Sequence, residues 1–168
     1  NVRPIIREYS KLIRTVAPDQ ILGLVFRLKD EYGLRWVGAE LISRNKAALS
    51  SLDAMTLERL GQGINSWGTV DAFSVYLAGP AWRERQVPDS LIRGWARSED
   101  RWWRRAALAS TVALNSKARG GSGDALRTLD LCGMLVHDRD DMVVKALSWA
   151  LRELAKRVYA MHRREHPD

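Results

Sequence analysis

Apolar residues recur along the chain at intervals of three and four, and no stretch sustains a period of two, so the pattern predicts helices throughout. Leu12 and Val16, then Ile21, Leu24, Val25 and Leu28, outline two short helices broken at Pro18, with Asp19 in the first turn that acids favour. Leu34, Val37, Leu41 and Ile42 outline a third. Leu52, Leu57 and Leu60 outline a fourth, stopped by Gly61 and Gly63. A fifth follows Asn65 and Ser66, either of which can cap it, and runs through Val70, Phe73 and Leu77 to a stop at Gly79-Pro80. Further helices are predicted over 88–97, 101–115, 123–136 and 140–160. Lys117 to Gly123 is the clearest loop. Its Gly120-Gly121-Ser122-Gly123 run lacks the Lys and strand of a phosphate loop and reads as a flexible link.

Short helices with short links make an all-α fold, either an α-solenoid or an irregular bundle. Three of the helices look alike: Leu34 to Ala39, Arg101 to Ala106 and Asp141 to Ala146. Aligned on Ala39, Ala106 and Ala146, they stand 67 and 40 residues apart, and only the second spacing approaches the ~40–47 of HEAT-type helix pairs. We therefore read residues 1–168 as one irregular HEAT-like helical-repeat domain. Arg105 and Lys145 share a repeat position and are expected to line one concave basic face.

Composition narrows the classes. A hydrophobic content of 46% with 28% charged residues excludes disorder, and no apolar run approaches the roughly 20 residues that cross a bilayer. The single Cys132 excludes an intrachain disulfide framework, fits a reducing cytoplasm, and reads as a small buried hydrophobe. Asn1 in first place reads as a processed chain or a fragment. The net charge of +7 is uneven: +4 over residues 1–50, −2 over 51–100 and +5 over 101–168. Two basic flanks and seven Trp suit a nucleic-acid surface.

Three stripes are candidates for chemistry. On the last helix, Val143, Leu147, Ala150, Leu154 and Val158 form a core stripe. Lys145, Trp149, Arg152 and Lys156 form a second, about 200° around from Val143 for Lys145. That second stripe is either a solvated basic face with Trp149 tucked under a neighbour, or a contact surface. On the fifth helix, Trp67 and Asp71 are one turn apart, with Ser74 and Ala78 continuing the face as a groove floor would. They read equally as a hydrophobic staple and an acid favoured by the helix dipole. Arg101, Arg104 and Arg105 crowd a helix N-terminus, each opposing the macrodipole by several tenths of a kcal/mol unless an anion sits there. A phosphate backbone is the natural candidate. His162 and His166 stand at i, i+4 near a polar end and read as a frayed tail rather than a metal site.

The segments Asn65 to Asp71, Trp102 to Ala107 and Lys145 to Glu153 together resemble the AlkD-like DNA alkylation repair family, as does Arg35 to Leu41. The resemblance spans roughly residues 5–157. It implies a HEAT-like solenoid that hydrolyses the N-glycosidic bond of alkylated purines, chiefly 3-methyladenine and 7-methylguanine, in double-stranded DNA. Carried over, Trp67 and Asp71 match the family's catalytic Trp-x-x-x-Asp pair, Trp149 its second active-site Trp, and Arg105 its phosphate-contacting Arg. Gly68 stands where some relatives carry an acid. The family's additional N-terminal helical segment and its helices beyond the Trp149 helix are expected to be missing.

The catalytic set is thus Asp71, Trp67 and Trp149, with Arg105, Lys145, Arg152, Lys156, Arg104 and Arg101 against DNA. No cofactor or metal is expected, and the protein is read as a monomer of the bacterial cytosol, associated with the nucleoid. Trp36 and Trp103 read as core, while Trp82, Trp95 and Trp102 are left undecided. Two other classes stay open: a DNA-binding paralogue or inactive fragment without turnover, and a protein-interaction solenoid whose basic face takes an acidic peptide.

Overall fold

The computed structural model describes residues 3–165, and all regular structure among them is helical. Helices α1 (Arg3–Leu12), α2 (Pro18–Tyr32), α3 (Arg35–Arg44) and α4 (Lys46–Ser50) are followed by α5 (Ala54–Gly61) and α6 (Trp67–Phe73). A π turn at Ser74–Ala78 joins α6 to α7 (Gly79–Arg83). Then come α8 (Asp89–Ala96), α9 (Arg101–Ser110), α10 (Val112–Asn115), α11 (Ala125–Leu135) and α12 (Asp141–Glu165). No described helix is long and apolar enough to cross a membrane.

The starts follow from capping. Asp53, Ser66, Asp100 and Asp124 each accept a backbone N–H in the first turn of α5, α6, α9 and α11. Of the two candidate caps before α6, Ser66 is the one used. Pro18 opens α2, where its missing N–H costs nothing. Gly79-Pro80 does not stop the fifth helix as expected. Gly79 is helical at φ −62° and ψ −49°, and the π turn places Pro80 in the first turn of α7. A Cβ at Gly79 would meet the Ser110 carbonyl oxygen at 2.6 Å, so this crossing of α7 and α9 requires glycine. Ser74 and Ala78 do not form a groove floor. Both are fully buried.

Helices α3, α6, α9 and α12 pack side by side in chain order, and α2, α8 and α11 back onto α3, α9 and α12. The spacing of 67 residues between Ala39 and Ala106 is thereby explained, because α6 lies between their helices. Its Ala72, buried like the other three, divides the interval into 33 and 34. Asp71 therefore precedes Ala72 as Arg105 precedes Ala106 and Lys145 precedes Ala146.

Behind this row, Phe73, Trp95 and Trp103 meet with ring centroids 4.9–6.0 Å apart and tie α6, α8 and α9 together. Trp103 is thus core, as expected. Trp95 and Trp82 join it, the latter donating its indole N–H to Asp89 at 2.7 Å under the Arg127 guanidinium. Trp102 is half-buried beneath Arg101. In α12, Val143, Ala150 and Leu154 are buried, but Val158 is 52% exposed, so the core stripe ends one turn earlier than its periodicity suggests. Few elements remain to cover the helix there.

The Gly120 to Gly123 run is pinned rather than a loose link. Gly121 N–H bonds the Ser116 carbonyl, Gly123 N–H the Leu114 carbonyl, and Arg157 Nε the Ser122 carbonyl. A Cβ on Gly121 would sit 2.6 Å from the Leu114 carbonyl group, so close backbone approach is the reason for glycine here.

Two measurements check this core. Phe73→Ala should lower the unfolding free energy by about 3–5 kcal/mol in urea titration, as loss of a buried aromatic does. Burial pushes the Cys132 thiol up to about 11, so it stays neutral and should resist Ellman's reagent at pH 8 until urea unfolds the chain.

Candidate active site

The site grows from the start of α6. Ser66 caps it, with its Oγ also 2.9 Å from Thr69 Oγ1, and this fixes where the first turn begins. Trp67, first in the helix, is 65% exposed, and Asp71 lies one turn further on the same side. Val70 and Phe73 hold the opposite side in the core.

Asp71 faces α9. Arg105 Nε donates to Asp71 Oδ1 at 2.9 Å and Arg105 Nη2 to Oδ2 at 2.8 Å, a two-pronged contact. Arg105 Nη1 donates to the Met142 carbonyl at the start of α12, at 2.6 Å. The guanidinium is buried, its side chain only 7% exposed against 20% for Asp71. One side chain thus joins three helices of the row.

Trp67, Asp71 and Trp149 line one cleft of about 660 Å³, together with Trp36, Tyr76, Arg119 and Glu153. The three residues expected to be catalytic are therefore brought together. Trp36 is not simply core. It is half-buried and forms part of the wall. Tyr76, Arg119 and Glu153 were not singled out in the sequence: Tyr76 comes from the π turn, Arg119 from the pinned loop, and Glu153 lies one turn beyond Trp149.

The crowd of cations at the start of α9 finds its anions within the chain rather than awaiting one. Arg104 Nε meets Asp138 Oδ2 at 2.6 Å and its Nη1 donates to the Ser98 and Glu99 carbonyls. Arg101 Nη1 reaches Asp140 at 3.4 Å. Burial pushes the Asp140 carboxyl up, but the Met142 N–H and Arg101 outweigh it and leave it below the usual carboxylate range. With Asp71 on Arg105 and Asp100 as the cap, the local charge conflict is resolved internally. Arg105 and Lys145, aligned in the repeat, differ in fate: Arg105 is buried, whereas Lys145 is exposed on a surface pair with Asp141. Arg152 is exposed, and Lys156 is exposed beside Glu153. Such exposed pairs are weak and yield readily to another anion. His166 lies outside the described residues.

The family model described as DNA alkylation repair enzyme matches residues 1–164. The chain belongs to this family. No curated protein and no solved structure matches it. Membership brings DNA carrying alkylation damage as the partner, and the cleft with its exposed Trp67 is where this family member offers an acid beside aromatic rings.

The Asp71–Arg105 contact can be measured by a double-mutant cycle. Asp71→Ala leaves a buried guanidinium without its carboxylate and should cost about 3–5 kcal/mol of stability. Arg105→Met alone should also destabilise, whereas the double variant should lose less than the sum of the two.

Proposed function

We propose that the protein is a DNA glycosylase that hydrolyses the N-glycosidic bond of cationic alkylated purines, 3-methyladenine and 7-methylguanine, in duplex DNA. It would act as a monomer, without cofactor or metal, on nucleoid DNA in the bacterial cytosol. The observation that carries this reading is the single cleft that holds the Asp71 carboxylate, braced by Arg105, with the rings of Trp67 and Trp149. The stacked helix pairs support a HEAT-like repeat as its scaffold.

The residue types suit the reaction. A purine alkylated at N3 or N7 is already cationic, so it departs without a general acid. As the bond from C1′ to the base nitrogen breaks, its electron pair neutralises the base and positive charge moves to the deoxyribose. A fixed carboxylate stabilises that charge and orients the water whose oxygen bonds to C1′, the water's proton passing to solvent. The Arg105 contact uses one acceptor site on each Asp71 oxygen and leaves others for this role. Aromatic faces favour the developing cation. Arg105 acts first as a positioning residue for Asp71. Two of its five N–H donors remain for a neighbouring phosphate. Lys145, Arg152 and Lys156 of α12, with Arg101 and Arg104 of α9, would flank the duplex.

Asp71→Asn keeps an acceptor toward Arg105 but removes the negative charge. Release of 7-methylguanine from methylated duplex should fall by about 100-fold or more, with duplex binding and helical circular dichroism retained. Unchanged release would remove Asp71 from the catalytic role.

A further inference from the structure

We infer that Arg119 is a phosphate-contacting residue at the edge of the cleft, an assignment that rests on the DNA reading above. Arg119 lines the same cleft as Asp71, and its guanidinium lies over the Tyr76 ring, 4.7 Å from the centroid. Tyr76 follows Asp71 by five residues through the π turn, so the carboxylate and the platform for the cation are carried by one continuous element.

Among the described residues, Arg119 has no carboxylate partner, in contrast to Arg101, Arg104, Arg105, Lys145 and Lys156. The two acids of the cleft are already matched, Asp71 by Arg105 and Glu153 by Lys156. The positive charge on Arg119 is therefore left over for an anion from outside. Its backbone is held firmly for an exposed residue. The Arg119 carbonyl accepts from Arg83 Nη1 at 2.6 Å, that same nitrogen donates to the Ala113 carbonyl, and Gly121 N–H closes the turn onto Ser116.

The chemistry of the substrate calls for such a group. A deoxyribose that loses its base carries a phosphodiester on each side, and a cleft containing two carboxylates would repel them without a cation at its rim. Stacking on Tyr76 uses the face of the guanidinium, whereas its N–H edge stays available for two-pronged contact with phosphate oxygens. Lysine would keep the charge but not that planar geometry.

Fluorescence anisotropy with a labelled duplex, titrated over a range of salt concentrations, tests the assignment on the whole chain. Arg119→Ala should weaken binding about tenfold at low salt and reduce the slope of log affinity against log salt by about 1. Arg119→Lys should preserve the slope and lose part of the affinity. The thermal midpoint should hold, because packing uses only the main chain of residue 119. Affinity and slope equal to the unsubstituted protein would overturn the assignment, as would reduced base release with an unchanged slope. If the unsubstituted protein itself binds duplex without salt dependence, the DNA reading fails, and Arg119 falls with it.

Discussion

The contact of Arg105 with Asp71 and the Met142 carbonyl is the joint on which the site depends. A planar guanidinium held at both prongs by one carboxylate and at its third corner by a carbonyl permits little sliding of α6, α9 or α12. Its register is set from behind. Asp71 and Phe73 are two residues apart on α6, as Arg105 and Trp103 are on α9, so each pair projects to roughly opposite sides of its helix. The packing that brings Phe73 to Trp103 at the back therefore brings Asp71 to Arg105 at the front. Core packing and site geometry are a single constraint.

That constraint also changes how the net charge is to be understood. A total of +7 suggests a surface of free cations, yet most of the arginines that crowd α9 are committed to acids of the same chain. Arg101 and Arg104 link the start of α9 to Asp140 and Asp138 just before α12, so these charges brace the neighbouring helices. Charge available to a partner is concentrated instead on exposed α12 side chains and on the turn before Gly120.

Helix content was legible because a period of 3.6 needs only local sequence, and so were the caps at Asp53, Ser66, Asp100 and Asp124, whose bonds close within three residues. Trp67 and Asp71 were legible as a pair for the same reason, although their role came from family resemblance rather than from spacing. What stayed hidden depends on neighbours far along the chain. Arg105 found Asp71 across 34 residues, and no local rule distinguishes a guanidinium awaiting phosphate from one already answered. Arg119 and Tyr76 meet only through tertiary packing. The glycine run looked loose because composition does not reveal that Leu114 presses against Gly121. Val158 kept the period of a core residue where the core had ended.

The π turn at Ser74–Ala78 does more than admit a proline. It resets the angular phase of the helix. In an uninterrupted α-helix Trp82, eleven positions after Asp71, would return to within about 20° of the direction in which Asp71 points. A turn holding one extra residue sets it back by about 100°. The acid can then face the cleft while the largest side chain downstream enters the interior, where it is 1% exposed. Without that phase slip, the two could not both be accommodated on one rod, and either the tryptophan or the carboxylate would occupy the wrong medium.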